Sequence, residues 1–258
     1  MKSPENPSLE TEEEPNLPTS SGFEGMAISE DSNTLYPMLE VALEDDPDQS
    51  QRVIYEFDLG SKRYTGQRWY YPAEASEHSI GDLTPLSADR FLAIERDNQQ
   101  GEAARFKKVY MVDLRRTDPE GYLPKQEVLD LLSIRDPDLI SEPSHEGDVG
   151  LGDPFAFPFW TIESILPLGD GRLLLLNDNN YPLSAGRNPD QPDNTEAIVV
   201  HAPGLQRDLA ARVPVAQVPG TGGPPLTSWV GMVLLGTTIL GVTILGGLLR
   251  LRVSRCSG

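Results

Sequence analysis

Three stretches of this chain can be laid over one another, and an internal echo of that kind leaves few folds open. FEGMAISEDSNTLYPMLE (Phe23 to Glu40), IGDLTPLSADRFLAIE (Ile80 to Glu95) and IESILPLGDGRLLLLN (Ile162 to Asn177) share one plan. Each is an apolar strand, a tight Ser/Asp/Gly turn, and a second apolar strand ending in a polar residue, which predicts a β-hairpin. A third strand follows each hairpin: RVIYEFDL (Arg52 to Leu59), KVYMVDL (Lys108 to Leu114) and AIVVH (Ala197 to His201). A fourth is predicted at Gln67 to Tyr71 and at Gln126 to Leu131. The latter is ambiguous with a short helix over Gln126 to Ile134, because pattern alone does not separate the two for short apolar runs. Four antiparallel strands per repeated unit is the signature of a β-propeller blade; a generic antiparallel sheet or sandwich is the alternative. The expected fold is therefore all-β, a partial β-propeller with about three blades visible, since closed propellers typically have roughly four to eight. The Pro-rich segment from Asp118 to Trp160 reads as a surface insertion in the second unit.

The C-terminus carries a different signal. No charged residue occurs between Arg212 and Arg250, and Trp229 to Leu249 is an unbroken run of 21 uncharged, mostly apolar residues. At about 1.5 Å per residue such a helix crosses a bilayer core of roughly 30 Å. The expectation is a single transmembrane α-helix over 229–249, with the lipid bilayer as partner; a buried core helix is the alternative. Arg250, Arg252 and Arg255 follow without an acid. Basic residues stay on the cytoplasmic side, so 250–258 is expected as a cytoplasmic tail and the main domain as extracytoplasmic. Just before the run, Val218-Pro219-Gly220-Thr221-Gly222 resembles the Leu-Pro-x-Thr-Gly sorting signal of sortase substrates, with cleavage after Thr221 and a sortase as the implied partner; a Pro/Gly linker over 206–228 is the competing reading. Residues 1–21 are acidic and Pro-rich, have no apolar core like a signal peptide, and read as a solvated segment. An external domain needs an export signal, so the chain is expected to be the C-terminal part of a longer protein.

Composition excludes several classes. A net charge of −19 argues against a nucleic-acid partner, which needs clustered Lys and Arg. One cysteine, Cys256, excludes an intrachain disulfide and a thiolate zinc cluster. His78, His145 and His201 lack metal-ligand spacing, and neither a G-x-S-x-G elbow nor a P-loop occurs.

The domain region, 22–205, resembles the phytase-like family, described as having esterase-like activity of phytase. The resemblance rests on GFEGMAIS (Gly22 to Ser29), MLE (Met38 to Glu40), AIERDN (Ala93 to Asn98), LNDNNYPLSAGR (Leu176 to Arg187) and PDNTE (Pro192 to Glu196). It implies a propeller, an extracytoplasmic setting and phosphate-ester hydrolysis, with a phosphate ester as ligand. The first half of the family's pattern has no counterpart here.

Residues at the ends of inner blade strands face the central channel of such a fold. Glu24 and Glu163 occupy equivalent places in the first and third units, and Glu40, Glu95 and Asn177 end the second strand of each. Converging carboxylates suit Ca²⁺, which takes about six to eight oxygens. Glu24, Glu163 and Asp178 are the expected metal ligands. Such a cation would bind phosphate oxygens. Glu95 and Arg96 are the expected catalytic pair, Arg96 as the phosphate-binding group. The opposing readings are an ordinary turn at Asn177 to Asn180, a channel-lining ion-pair group at Glu95-Arg96-Asp97, and for the whole chain a non-catalytic surface binding module.

Overall fold

The computed structural model describes residues 1–7, 9, 13–142, 144–205 and the backbone of 250–253. The linker 206–228, with Thr221, the uncharged run 229–249 and residues 254–258 lie outside the described residues. Among the described residues no helix is long and apolar enough to cross a membrane.

Among the described residues twelve strands form three four-stranded sheets. The first holds β1 (Phe23–Ile28), β2 (Thr34–Leu39), β3 (Gln51–Asp58) and β4 (Arg63–Pro72). The second holds β5 (Ser79–Ser87), β6 (Arg90–Arg96), β7 (Lys107–Asp113) and β8 (Lys125–Asp130). The third holds β9 (Thr161–Gly169), β10 (Arg172–Asp178), β11 (Glu196–His201) and β12 (Arg250–Val253). Strands follow in sequence order within each sheet, and neighbours are antiparallel except β11 and β12, which are parallel. The all-β reading holds. The helix alternative at Gln126 is displaced by β8, whose backbone pairs along the open edge of β7. Among the described residues the sheets do not close into a ring.

Four residues of the stretch 250–258 form β12, hydrogen-bonded along the outer edge of β11 where backbone groups would otherwise lack partners. One expectation changes. The insertion after β8 is not purely superficial: Phe155, Phe157 and Phe159 are buried in the largest core cluster. Aromatic residues at alternate positions in PFAFPFW let an extended segment lay one side on the sheets.

Alternation explains the layering. In β6 every second side chain goes to a different core. Phe91 and Ala93 pack with Met38, Ile54 and Trp69 of the first sheet. Leu92 and Ile94 pack with Ile162, Leu173, Leu175 and Ile198 of the third. The middle sheet is thus covered on both faces, which is why β6 reads as a continuous apolar run. The β9–β10 turn uses Gly169 (φ 91°), Asp170 (φ 54°) and Gly171 (φ 73°), a left-handed stretch that glycine permits at little cost.

The first strands of the three sheets lie side by side, β1 against β5 and β5 against β9. Their approach is close enough to exclude side chains. A Cβ on Gly25 would sit 2.7 Å from the Leu83 backbone nitrogen, and a Cβ on Gly81 would sit 2.0 Å from the Ile162 carbonyl oxygen. Each of these strands also carries an irregularity near its start. Register shifts fall between Phe23 and Gly25, between Ile80 and Asp82, and opposite Leu176/Asn177. The extra residues are Glu24, Gly81 and Glu163. A bulged residue leaves the ladder and its side chain is re-aimed.

Gly81→Ala is expected to lower the unfolding free energy by at least about 2 kcal/mol, because backbone rather than a flexible side chain blocks the new methyl. Gly22→Ala, where nothing lies within 4 Å, should stay within about 0.5 kcal/mol of the parent in the same urea titration.

Candidate functional site at the bulged strand ends

The pairing registers show which residues of the three sheets are equivalent. Ser79 of β5 faces Arg96, and Thr161 of β9 faces Asp178. In the first sheet Phe23 faces Leu39, so Glu40 follows at the matching place, its amide donating to the Gly22 carbonyl at 2.9 Å. Glu40, Arg96 and Asp178 therefore share one position, and Glu95 is equivalent to Asn177 one residue earlier. The sequence overlay, which aligned Glu40 with Glu95 and Asn177, was off by one in the first sheet. A one-residue slip moves a side chain to the other face, and the same alternation along β6 separates Glu95 from Arg96.

Glu95 points between the first and second sheets and is fully buried. Its carboxylate accepts from the Tyr71 hydroxyl at 2.7 Å, Lys125 Nζ at 2.7 Å and the Glu74 amide at 2.6 Å, and meets His78 Nδ1 at 2.8 Å. Lys125 also lies over the Tyr110 and Tyr71 rings, at 4.2 and 4.8 Å. Although burial pushes the Glu95 carboxyl up, the bonds from Lys125 and His78 outweigh it and the net shift is down. Each carboxylate oxygen meets two groups, drawn from β4, the β4–β5 connection and β8, so Glu95 ties the first two sheets together on the face of β6 opposite Arg96.

Arg96 faces the bulges. It is buried, with Nη2 donating to Glu40 Oε1 at 3.1 Å and Nη1 to Asn98 Oδ1 at 2.6 Å. Its Nε is buried and has no hydrogen-bond partner. Glu24 is exposed, Glu163 half-buried and Asp178 exposed. Their fields overlap. Burial pushes the Glu163 carboxyl up and Asp178 adds to the rise, as do Glu24 and Glu40 more weakly, while Arg96 pulls it down. Burial likewise raises Glu40, against Arg96 and with Glu24. Burial lowers Arg96 against the combined pull of Glu40, Glu163 and Glu24. The structure thus brings together Glu24, Arg96, Glu163 and Asp178, adds Glu40, and leaves Glu95 elsewhere.

The oxygen chemistry suits a hard cation, but the arrangement does not gather a cage. Among the described residues no group of three or more His, Cys, Asp or Glu side chains is placed to hold a metal ion, and the Arg96 guanidinium already stands among these carboxylates. Asp178 and its neighbours serve the turn as well: Asn180 donates its amide to Asp178 Oδ1 at 3.2 Å, and Tyr181 donates to Asn179 Oδ1 at 3.0 Å.

Sequence reasoning missed two features. Asp82, on β5 beside the Gly81 bulge, accepts from the Ile165 amide of β9 at 3.0 Å, and burial pushes its carboxyl up to about 6. An acid inside an apolar inner strand was the available signal. The second is a cavity of about 210 Å³ bordered by Arg187, Asp193 and Glu196. Arg187 Nη2 donates to Glu196 Oε1 at 2.8 Å, while Asp193 accepts the Gly186 and Arg187 amides at 2.7 and 2.9 Å. The Arg187 guanidinium lies over Phe155 and Phe159 at 5.1 and 5.2 Å. The GR and PDNTE motifs are thereby explained as a lock that pins the β10–β11 loop to the core.

The motif-bearing segments now have places: GFEGMAIS is the bulged β1, AIERDN the end of β6, and LNDNNYP the end of β10. A family model described as Phytase-like, esterase-like activity of phytase, matches residues 1–181. The chain belongs to the phytase-like family. No curated protein matches it. Among solved structures it is similar to a chain from the S. cerevisiae complex of mutant Dbp5 bound to Nup159, mutant Gle1, IP6 and ADP. That similarity covers 73% of this chain and 53% of that one at 14% identity, with a TM-score of 0.23, a likeness too slight to carry any argument about this phytase-like chain.

Glu95→Gln leaves Lys125 facing a neutral amide inside the core. Guanidinium unfolding should show a loss of about 3–5 kcal/mol, the usual cost of breaking a buried pair on one side.

Proposed function

We propose that this phytase-like chain hydrolyses phosphate esters at the bulged ends of β1 and β9, with the three sheets as consecutive blades of a propeller. The blade reading is supported by three four-stranded sheets in sequence order whose first strands lie side by side. The observation that carries the activity is the convergence of one buried arginine and four carboxylates, contributed by all three sheets, in a family described by esterase-like activity.

The roles follow from the environment. Glu40 and Asn98 hold the Arg96 guanidinium in one orientation, and its remaining N–H donors are the groups that meet a phosphate oxygen. Glu163 holds a proton more tightly than an ordinary glutamate, through burial and the negative charge of Asp178. A carboxyl in that state is suited to protonate a leaving oxygen. Asp178, and more weakly Glu24, surround it with negative charge that adds to the upward shift. No step is assigned to a bound cation, since the carboxylates are not gathered as a cage.

An excess of carboxylates over one arginine favours a second reading, a surface module that binds ligand without turnover. Release of p-nitrophenol from its phosphate ester by the purified full chain distinguishes them, measured with chelator and with added Ca²⁺. The proposal expects turnover that falls at least about tenfold in Arg96→Gln and in Glu163→Gln. Turnover absent in both conditions supports the binding module; turnover seen only with Ca²⁺ would restore the metal that the carboxylate chemistry suggests.

We also propose attachment to a lipid bilayer through 229–249, supported by the uncharged run. A spanning segment and a β12 paired to β11 exclude one another. In sealed vesicles carrying the domain outside, a C-terminal tag protected from added protease is the expected result; a cleaved tag places the terminus beside the sheet.

A further inference from the structure

At the opposite end of β6 from Arg96 lies a cavity of about 280 Å³ whose charge runs against that of the chain. The chain has 40 acidic residues and 21 basic ones. The cavity is bordered by Arg90, Arg115, Arg116 and Lys125 and by a single acid, Asp113. The ladders explain the gathering. Arg90 opens β6 and faces Asp113, which closes β7. Met111, two residues earlier on the same side of the sheet, faces Gln126 of β8. Arg115 and Arg116 follow in the turn that leaves β7, where the Arg116 amide donates to the Asp113 carbonyl at 3.0 Å. Lys125 faces Val112 on the other side, and its ammonium is held by Glu95 and Glu74 at 2.7 and 3.1 Å. Three guanidinium groups therefore serve the cavity.

Asp113 positions them more than it cancels them. Its two oxygens accept from Arg115 Nε and Nη2 at 3.1 and 3.0 Å, a fork of which Nη1 is not a part. Arg116 Nε lies 3.8 Å from the same carboxylate, and Arg90 donates Nε to Ser87 Oγ at 3.1 Å. Asp89, which does not border the cavity, reaches Arg115 at 3.4 Å. Three arginines against Asp113 alone leave an excess of two positive charges, and against both acids an excess of one.

We propose that this cavity is a second anion site, which holds the phosphoryl group of a phosphate monoester and does not hydrolyse it. A planar carboxylate is satisfied by one guanidinium fork, whereas a tetrahedral phosphoryl group offers three oxygens to donors from three arginines. Its charge of about −1.5 to −2 near neutral pH matches the local excess. Met111 and Pro124 give the organic part of the ester an apolar wall. Hydrolysis is not expected there, because the bonds from Arg115 hold the Asp113 carboxyl below its usual range and leave no proton for a departing oxygen. Six residues of strand, roughly 20 Å, separate Arg90 from Arg96, so the site stands apart from the bulged strand ends.

The Met111 methyl group reports on this cavity alone and is read without turnover, so the result is independent of the hydrolytic reading. The full chain in mild detergent carries ¹³C-methyl methionine, with the Met111 signal assigned through Met111→Leu. Glycerol 3-phosphate should shift that signal saturably, with a dissociation constant below about 1 mM. Glycerol should leave it in place, and succinate should bind at least about tenfold more weakly. Arg115→Gln and Arg116→Gln alter exposed side chains. Each is expected to raise the constant about tenfold while turnover of p-nitrophenyl phosphate stays unchanged. A tighter constant for soluble dihexanoyl phosphatidic acid would identify a lipid headgroup as the source of the phosphate, and an equal or weaker one a soluble ester; both support the site. An unmoved Met111 signal overturns the proposal, as does a shift that neither arginine variant weakens or that succinate produces equally well.

Discussion

The close approach of β1, β5 and β9 sets the rest of the architecture. Adjacent strands that meet backbone against side-chain base tolerate no methyl at the crossing, and Gly25 and Gly81 are the residues that remove it. Strands held that close cannot each continue as a regular ladder to the end. The bulges at Glu24, Gly81 and Glu163 absorb the mismatch, and a bulge bends its strand and turns its extra side chain out of the ladder. The same constraint that packs the inner strands thus produces the site. Where the extra residue must fit under the next strand it is glycine, and at the exposed and half-buried bulges it is glutamate.

Two buried cations fix the spacing between sheets. Arg52, in β3, donates to the carbonyls of Ser76, at 2.8 Å, and His78, immediately before β5. Lys107, at the start of β7, donates to the Trp160 carbonyl at 3.2 Å, immediately before β9, and pairs with Asp97 at 2.9 Å. In both cases the third strand of one sheet reaches the residue that precedes the first strand of the next. Burial pushes the Lys107 amine down to about 8, so holding it charged depends on Asp97 and on the carbonyls. Such bonds are each worth about 1.5–3 kcal/mol when the donor is charged. β11 opens instead with Glu196, which turns to Arg187 within its own sheet's loop. The latch therefore operates twice and stops at the third sheet, where an uncovered apolar face begins.

Much of this was legible in the residues. The hairpins, the third strands and the fourth strand in two sheets were all visible, because alternation and turn residues are local signals. Equivalence of Glu24 and Glu163 was legible for the same reason. The partners of Glu95 were not. Tyr71, His78 and Lys125 lie far from it along the chain and converge only through sheet packing, and the overlay that placed Glu95 beside Glu40 ran one residue past Leu39, the partner of Phe23. Burial of Phe155, Phe157 and Phe159 escaped notice because the surrounding prolines and glycines gave the segment the composition of a surface loop. The alternation inside PFAFPFW was the contrary signal.

The placement of Arg96 decides what the acidic ends of the strands can do. Four carboxylates without a cation among them would repel one another and draw in protons or metal from solvent. With Arg96 fixed by Glu40 and Asn98, one carboxylate is neutralised through a direct bond. The others divide: Glu24 and Asp178 stay exposed, while Glu163 is half-buried and its carboxyl is shifted up by burial and by Asp178. A buried guanidinium and an upshifted carboxyl thereby act on one another from neighbouring sheets. Neither could be tuned by its own strand alone, since Arg96 draws its partner from the first sheet and Glu163 its perturbing charge from β10 of the third.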